Sequence, residues 1–110
     1  KGKKKLERTK ILNDAKLLQD VGVFSIVLEC VETSLAKLIT NSIKIPTIGI
    51  GASSFCDGQV LVTDDLLGLN PTSVRFVKTY TNLSKNIHQA VKNFSNDVRK
   101  KNFPKKKHSY

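Results

Sequence analysis

The sequence predicts an α/β fold with a parallel sheet, and three observations carry that reading. Two apolar runs, "VFSIVLECV" and "IPTIGIGAS", are rich in β-branched residues and barely alternate, as strands do when both faces are covered in a parallel sheet. Segments with helical spacing of apolar residues lie between and after these runs. At 110 residues the chain has room for one modest core. It therefore reads as a single partial domain over 1–110, with basic termini at 1–5 and 99–110.

Each element has its own signal. Ile11, Ala15 and Leu18 recur at helical spacing, and Gly22 stands where a helix end favours a left-handed residue. "VFSIVLECV" is the first strand. Thr33 and Ser34 are expected to cap a second helix carrying Leu35, Leu38 and Ile39. "IPTIGIGAS" repeats the strand signature, with Pro46 acceptable at a strand start. The loop "SSFCDG" leads to "QVLVTDDLLG", whose first half reads as a third short strand. Pro71 near a helix start, with Val74 and Val77 three apart, predicts a helix in "NPTSVRFVKTY". The clearest helix is the last, with Ile87, Ala90, Val91, Phe94 and Val98 on one face. After Pro104 the tail "KKKHSY" has nothing to pack with. No internal repeat emerges. Three strands make an incomplete sheet: a closed (β/α)₈ barrel needs about 250 residues, so a barrel reading leaves less than half of it here.

The net charge of +10 is unevenly spread: residues 1–10 and 99–108 each carry six Lys or Arg, and the intervening body is close to neutral. Sixteen of the 19 cations are Lys, whereas bidentate phosphate and base recognition favours Arg, and no stacking aromatics are interleaved with them. Solvated tails are the reading, without a nucleic-acid partner. No apolar run approaches the roughly 18 residues of a membrane span, and no apolar stretch follows the basic start as in a secretion signal, so a cytoplasmic protein is expected without a membrane partner. The chain contains no Met and opens on "KGKKKLERTK", so a processed product or a fragment is expected. Cys30 and Cys56 have no metal-ligand spacing and are read as reduced thiols, while His88 and His108 stand alone in polar surroundings.

Three places invite chemistry. Glu29 closes the first strand and precedes a helix; in a barrel, strand C-termini supply the catalytic groups, and desolvation there raises a carboxyl toward the pKa of a useful base. The same address suits an acid that caps or faces solvent in a βα loop. Gly49 and Gly51 in "IGIGA" strip side chains from a strand end, allowing close approach of a ligand or a neighbouring backbone, but the third glycine of a dinucleotide fingerprint is Ser54. Asp64 and Asp65 look like paired carboxylates, yet adjacent strand residues point to opposite faces, so at most one joins any site.

The ordered segments "IVLECV", "LAKLIT", "IPTIGIGA", "CDGQVLV" and "DLLGL", with "DAKLLQDVG" before them and "FPKKKHS" after, resemble the ketopantoate hydroxymethyltransferase family across almost the whole chain. The resemblance implies the C-terminal part, about three βα units, of a (β/α)₈ TIM barrel. It implies that Glu29, the acid of the "LEC" or "LEG" motif, is the proton acceptor. Glu29 would take a proton from C3 of 3-methyl-2-oxobutanoate. The enolate, stabilised by Mg²⁺ as Lewis acid, would then attack the one-carbon unit of 5,10-methylenetetrahydrofolate to give 2-dehydropantoate, in pantothenate biosynthesis. It further implies a homo-oligomer, a homodecamer.

The chain departs from the family pattern at Glu32, where Pro is usual, at Ser53, where Gly is usual, and in its basic tail Lys106-Lys107-His108-Ser109. Glu32 and the tail are peripheral; Ser53 puts loop geometry in question. The family's Mg²⁺ acids and its oxo-acid-binding serine and lysine lie upstream, so no metal ligand is assigned in this chain, and its folate-binding residues are unknown. Alone, the piece is expected to be inactive and marginally stable, with open sheet edges facing water. The competing readings are an inactive truncated product, a basic nucleic-acid-binding module, and a barrel enzyme with a glycine-rich phosphate loop, which requires a helix to start directly after "IGIGAS".

Overall fold

The computed structural model describes residues 1–71 and 74–110, which divide into two units, Lys1–Leu61 and Val62–Tyr110. In the first, the helical spacing around Ile11 and Ala15 extends into a longer helix, α1, Lys5–Asp20, and Gly22 has the left-handed φ of 89° expected at its end. Strand β1, Ile26–Glu29, follows, then helix α2, Thr33–Ser42, and strand β2, Thr47–Ile50. A two-residue strand β3, Gly58–Gln59, completes a parallel sheet in the order β1-β2-β3. Parallel neighbours need crossovers, and α2 supplies the one between β1 and β2.

The core lies between the helices and one face of the sheet. Leu35, Ala36 and Ile39 of α2 are wholly buried, with Ala15 of α1, Ile26 and Leu28 of β1, Val31, Ile43 and Cys56 around them. Complete burial of a side chain such as Leu35 or Ile39 contributes about 1.5–3 kcal/mol. Arg8 of α1 donates to the Glu32 carboxylate at 2.7 Å and to the Ser34 hydroxyl at 3.0 Å, fastening α1 to the start of α2. The expectation that the first strand is covered on both faces fails in this chain. Ile26 and Leu28 are buried, but Val27 is 59% exposed and Phe24 89%, because helices cover only one side of the sheet.

The cap of α2 also differs from expectation. Glu32, not Thr33 or Ser34, is the N-cap, its carboxylate accepting the backbone N–H groups of Ser34 and Leu35, each at 3.1 Å. The Arg8 guanidinium holds the carboxylate over the first turn through Oε2, the oxygen that also accepts the Leu35 N–H.

In the second unit, helix α3, Thr63–Leu67, ends in Gly68 at a φ of 69°, where a Cβ would run into the Thr81 carbonyl. Asp64 and Asp65 therefore occupy the first turn of a helix, not a strand. The third strand is shorter than its β-branched run predicts, since Val60 and Leu61 lie outside it. The helix expected after Pro71 is absent from residues 74–80, and Thr72 and Ser73 lie outside the described residues. Helix α4, Leu83–Arg99, forms as expected, capped by the Asn82 side chain on the Lys85 N–H at 3.0 Å. The tail does find a packing partner. Phe103 meets the Phe94 ring edge-on at 5.6 Å, and His108, in a short 3-10 helix Lys106–His108, lies 5.3 Å from the Phe103 ring and accepts the Lys105 N–H.

Candidate functional site

The C-terminal ends of the three parallel strands define one rim of the sheet, and side-chain alternation decides what faces each way there. The register pairs Val27 with Ile48 and Glu29 with Ile50; these four point to the face the helices leave open. Their neighbours Ile26, Leu28, Thr47 and Gly49 are buried on the other. Glu29 is thus the last residue of β1, at the rim, on the open face, as the strand-end reading requires. The burial expected around its carboxylate is not supplied by this chain, in which Glu29 is exposed.

The backbone turns sharply after it. Cys30 has a φ of 51°, in the left-handed region, while its N–H still donates to the Ile50 carbonyl at 2.9 Å. Both cysteines are free, Cys30 partly buried and Cys56 buried.

The two glycines of "IGIGA" have different surroundings. Gly49 lies on the covered face, where a Cβ would stand 2.9 Å from both amide atoms of Gln59 and 3.1 Å from the Cys56 Sγ. The space is filled by the chain's own Gln59, whose amide donates to the Ser53 carbonyl at 2.8 Å. Gly51 supplies a φ of 60° at the exit of β2. Ser53 fits without a left-handed backbone. It is buried, its hydroxyl accepts the Phe55 N–H at 3.2 Å, and its carbonyl also takes the Cys56 N–H. Between Gly51 and Val62 no helix begins, so the phosphate-loop competitor loses the feature it needs.

Sequence reasoning missed one polar cluster at the opposite end of β2. The Asp57 carboxylate accepts the Thr47 N–H at 2.8 Å and the Thr47 hydroxyl at 3.1 Å, and the Thr47 backbone bond first, then its hydroxyl, holds the Asp57 carboxyl below the usual range. Thr40 of α2 joins through a 2.8 Å hydroxyl contact with Thr47. The cluster pins the start of β2 to the loop before β3. "CDG" alone gave no signal of it, since the Asp57 carboxylate reaches a residue 10 positions earlier.

No group of three or more Asp, Glu, His or Cys converges among the described residues. Asp64 and Asp65 are separated from any such group, and the Asp65 carboxylate takes the Asn70 amide. Among the described residues no helix is long and apolar enough to cross a membrane.

Comparison with known proteins places this geometry. The family model described as ketopantoate hydroxymethyltransferase matches residues 1–106. The chain belongs to the ketopantoate hydroxymethyltransferase family. Among curated relatives, the 3-methyl-2-oxobutanoate hydroxymethyltransferase of Pelagibacter ubique is 64% identical over 110 residues, covering 100% of this chain and 43% of the relative. The enzyme of the same name from Thermosipho melanesiensis is 52% identical over 110 residues, 99% of this chain and 42% of the relative. That of Caulobacter vibrioides is 48% identical over 104 residues, 94% of this chain and 38% of the relative. The chain thus spans about two-fifths of the length of the curated relatives it matches. Glu32 makes a bond that a Pro could not: its own N–H donates to the Lys1 carbonyl at 2.7 Å.

Proposed function

We propose that this chain forms the C-terminal part of a 3-methyl-2-oxobutanoate hydroxymethyltransferase, with the sheet β1-β2-β3 contributing to a (β/α)₈ barrel and Glu29 serving as the proton acceptor. The observation that carries the reading is the placement of Glu29 at the C-terminal end of a parallel strand, on the face its helices leave open. In a barrel that face looks inward, and the strand C-termini ring the mouth where substrate binds. There the carboxylate takes a proton from the carbon beside the carbonyl of 3-methyl-2-oxobutanoate, the resulting enolate carbon forms a bond to the one-carbon unit of 5,10-methylenetetrahydrofolate as the unit's two bonds to folate nitrogens break, and a water molecule supplies the hydroxyl oxygen, so that 2-dehydropantoate and tetrahydrofolate leave. Val27, Ile48 and Ile50, on the same face, furnish an apolar surround for the carboxylate once the barrel closes over them.

Among the described residues no three Asp, Glu, His or Cys side chains converge, and no step is assigned to Mg²⁺ on the residues of this chain. Mg²⁺ dependence, a homodecameric assembly and a cytoplasmic location belong to the same proposal and are supported by family resemblance alone. The test joins this chain to the upstream region of the Pelagibacter ubique relative and measures folate-dependent hydroxymethyl transfer to the 2-oxo acid. The fusion turns over, and Glu29→Gln lowers turnover by about 10²–10⁴-fold, the usual worth of a general base, while oxo-acid binding is kept. A folded but inactive fusion overturns the enzymatic reading in favour of a degenerate product, and unchanged turnover in Glu29→Gln removes Glu29 from the reaction.

A further inference from the structure

The turn that follows Glu29 is made by one residue. In a continued strand, Cys30 would fall on the covered face and Val31 on the open one. The chain instead keeps the ladder bond from the Cys30 N–H to the Ile50 carbonyl, at 2.9 Å, and breaks the alternation at Cys30 itself, whose φ is 51°. Val31 is thereby turned back into the core at 9% exposure, and Glu32 caps α2 immediately afterwards. Strand end, core anchor and helix start are thus packed into three residues, with the change of direction at the residue joined to Glu29.

We propose that Cys30 is a positioning residue: its left-handed backbone, rather than its thiol, fixes where Glu29 stands on the open face of the sheet. The inference rests on the reading of Glu29 as the base. A left-handed conformation is strained for a residue with a Cβ, glycine adopts it freely, and a β-branched residue is the worst suited to it. A residue that rejects φ near 51° must relax by extending β1 or unwinding the start of α2. Either change rotates the peptide that follows Glu29 and swings its Cα–Cβ bond relative to Ile50, its partner in the register. A glycine in place of Cys30 would keep the turn and lose the strain; the thiol has no part in this geometry.

The experiment uses the active fusion with the Pelagibacter ubique upstream region and compares Cys30→Val, Cys30→Gly, Glu29→Gln and Ile39→Val, the last in the core of α2 and away from the rim. Cys30→Val lowers kcat on the order of a hundredfold, the scale of a misplacement of about 1 Å, with KM little changed, and moves the basic-group limb of the pH–rate profile. Cys30→Gly retains turnover and profile and raises the urea midpoint. Ile39→Val lowers the urea midpoint but moves neither kcat nor the profile. The inference is overturned if Cys30→Val leaves kcat and profile where they were, or if Ile39→Val loses kcat in the same proportion to its loss of stability. It is overturned equally if Cys30→Gly fails as Cys30→Val does, since the thiol would then be what matters. Glu29→Gln separates the two layers. Retained turnover there removes the base and its positioning residue together, whereas an inactive Glu29→Gln beside an unaffected Cys30→Val removes the positioning claim alone.

Discussion

In the unit Lys1–Leu61, the ten-residue helix α2 buries Leu35, Ala36 and Ile39 completely, whereas in Val62–Tyr110 the 17-residue helix α4 buries none of its residues. Yet α4 has the cleaner pattern of the two, with Ile87, Val91, Phe94 and Val98 along one face. The two helices show that periodicity and burial are separate properties. Spacing of apolar residues makes a helix face worth burying. Whether it is buried depends on a second surface, which for α2 is the sheet formed a few residues on either side of it. For α4 the described residues provide only a small one, the edge of Phe103 against Phe94.

Truncating one side chain in each helix sharpens that contrast, and it carries the largest expected effect on the chain's stability. Leu35→Ala removes a side chain with no exposure and should cost about 2–5 kcal/mol, the range for a buried Leu that leaves a cavity. Val91→Ala, at a residue 61% exposed, should stay within about 0.5 kcal/mol. Urea denaturation of both variants followed by circular dichroism measures the difference. A Val91→Ala loss as large as that of Leu35→Ala would break the contrast, because the α4 face would then be covered in solution.

A smaller effect is expected within the first unit, at the glycine whose missing side chain the fold uses. Gly49→Ala places a Cβ against the Gln59 amide and the Cys56 Sγ and should cost about 1–3 kcal/mol as overpacking. Gln59→Ala in the same chain removes the main obstacle, so the double variant should lose less than the two single losses added together. Strict additivity in urea midpoints would show that Gln59 does not fill that space.

Much of the first unit was legible because its signals are local and agree. The left-handed Gly22, the β-branched runs of β1 and β2 and the apolar stripe of α2 each imply one outcome, and the strand-end address of Glu29 follows from them. The misses came where a distant partner decides. Glu32 took the N-cap from Thr33 and Ser34 because Arg8, 24 residues away, holds its carboxylate. Asp64 and Asp65 read as strand residues because the β-branched "QVLV" precedes them, but Gly68 closes a short helix around them instead. The open face of β1 was illegible for a physical reason. An apolar run does not say how many of its faces are covered: a strand covered on one face can carry the same residues as one covered on both.

The Glu32 cap gives the smallest of these effects and one that pH isolates. The Ser34 hydroxyl above all, then the Ser34 backbone N–H and the Arg8 guanidinium, bring its pKa down from an ordinary 4.5 to about 2. A carboxylate with a lowered folded-state pKa binds its proton more readily in the unfolded chain. Its contribution is therefore fully present above about pH 4.5 and is lost as pH falls toward 2. Because the group lies at the surface, the contribution is small and weakened by salt. Glu32→Gln should lower the urea midpoint near neutral pH, with the gap to the parent chain closing across that acid window and gone by about pH 2. A gap that stays constant from about pH 6 to the acid end would mean that the charge on Glu32 contributes nothing, and that Arg8 and the α2 amides hold it only as they would hold a neutral amide.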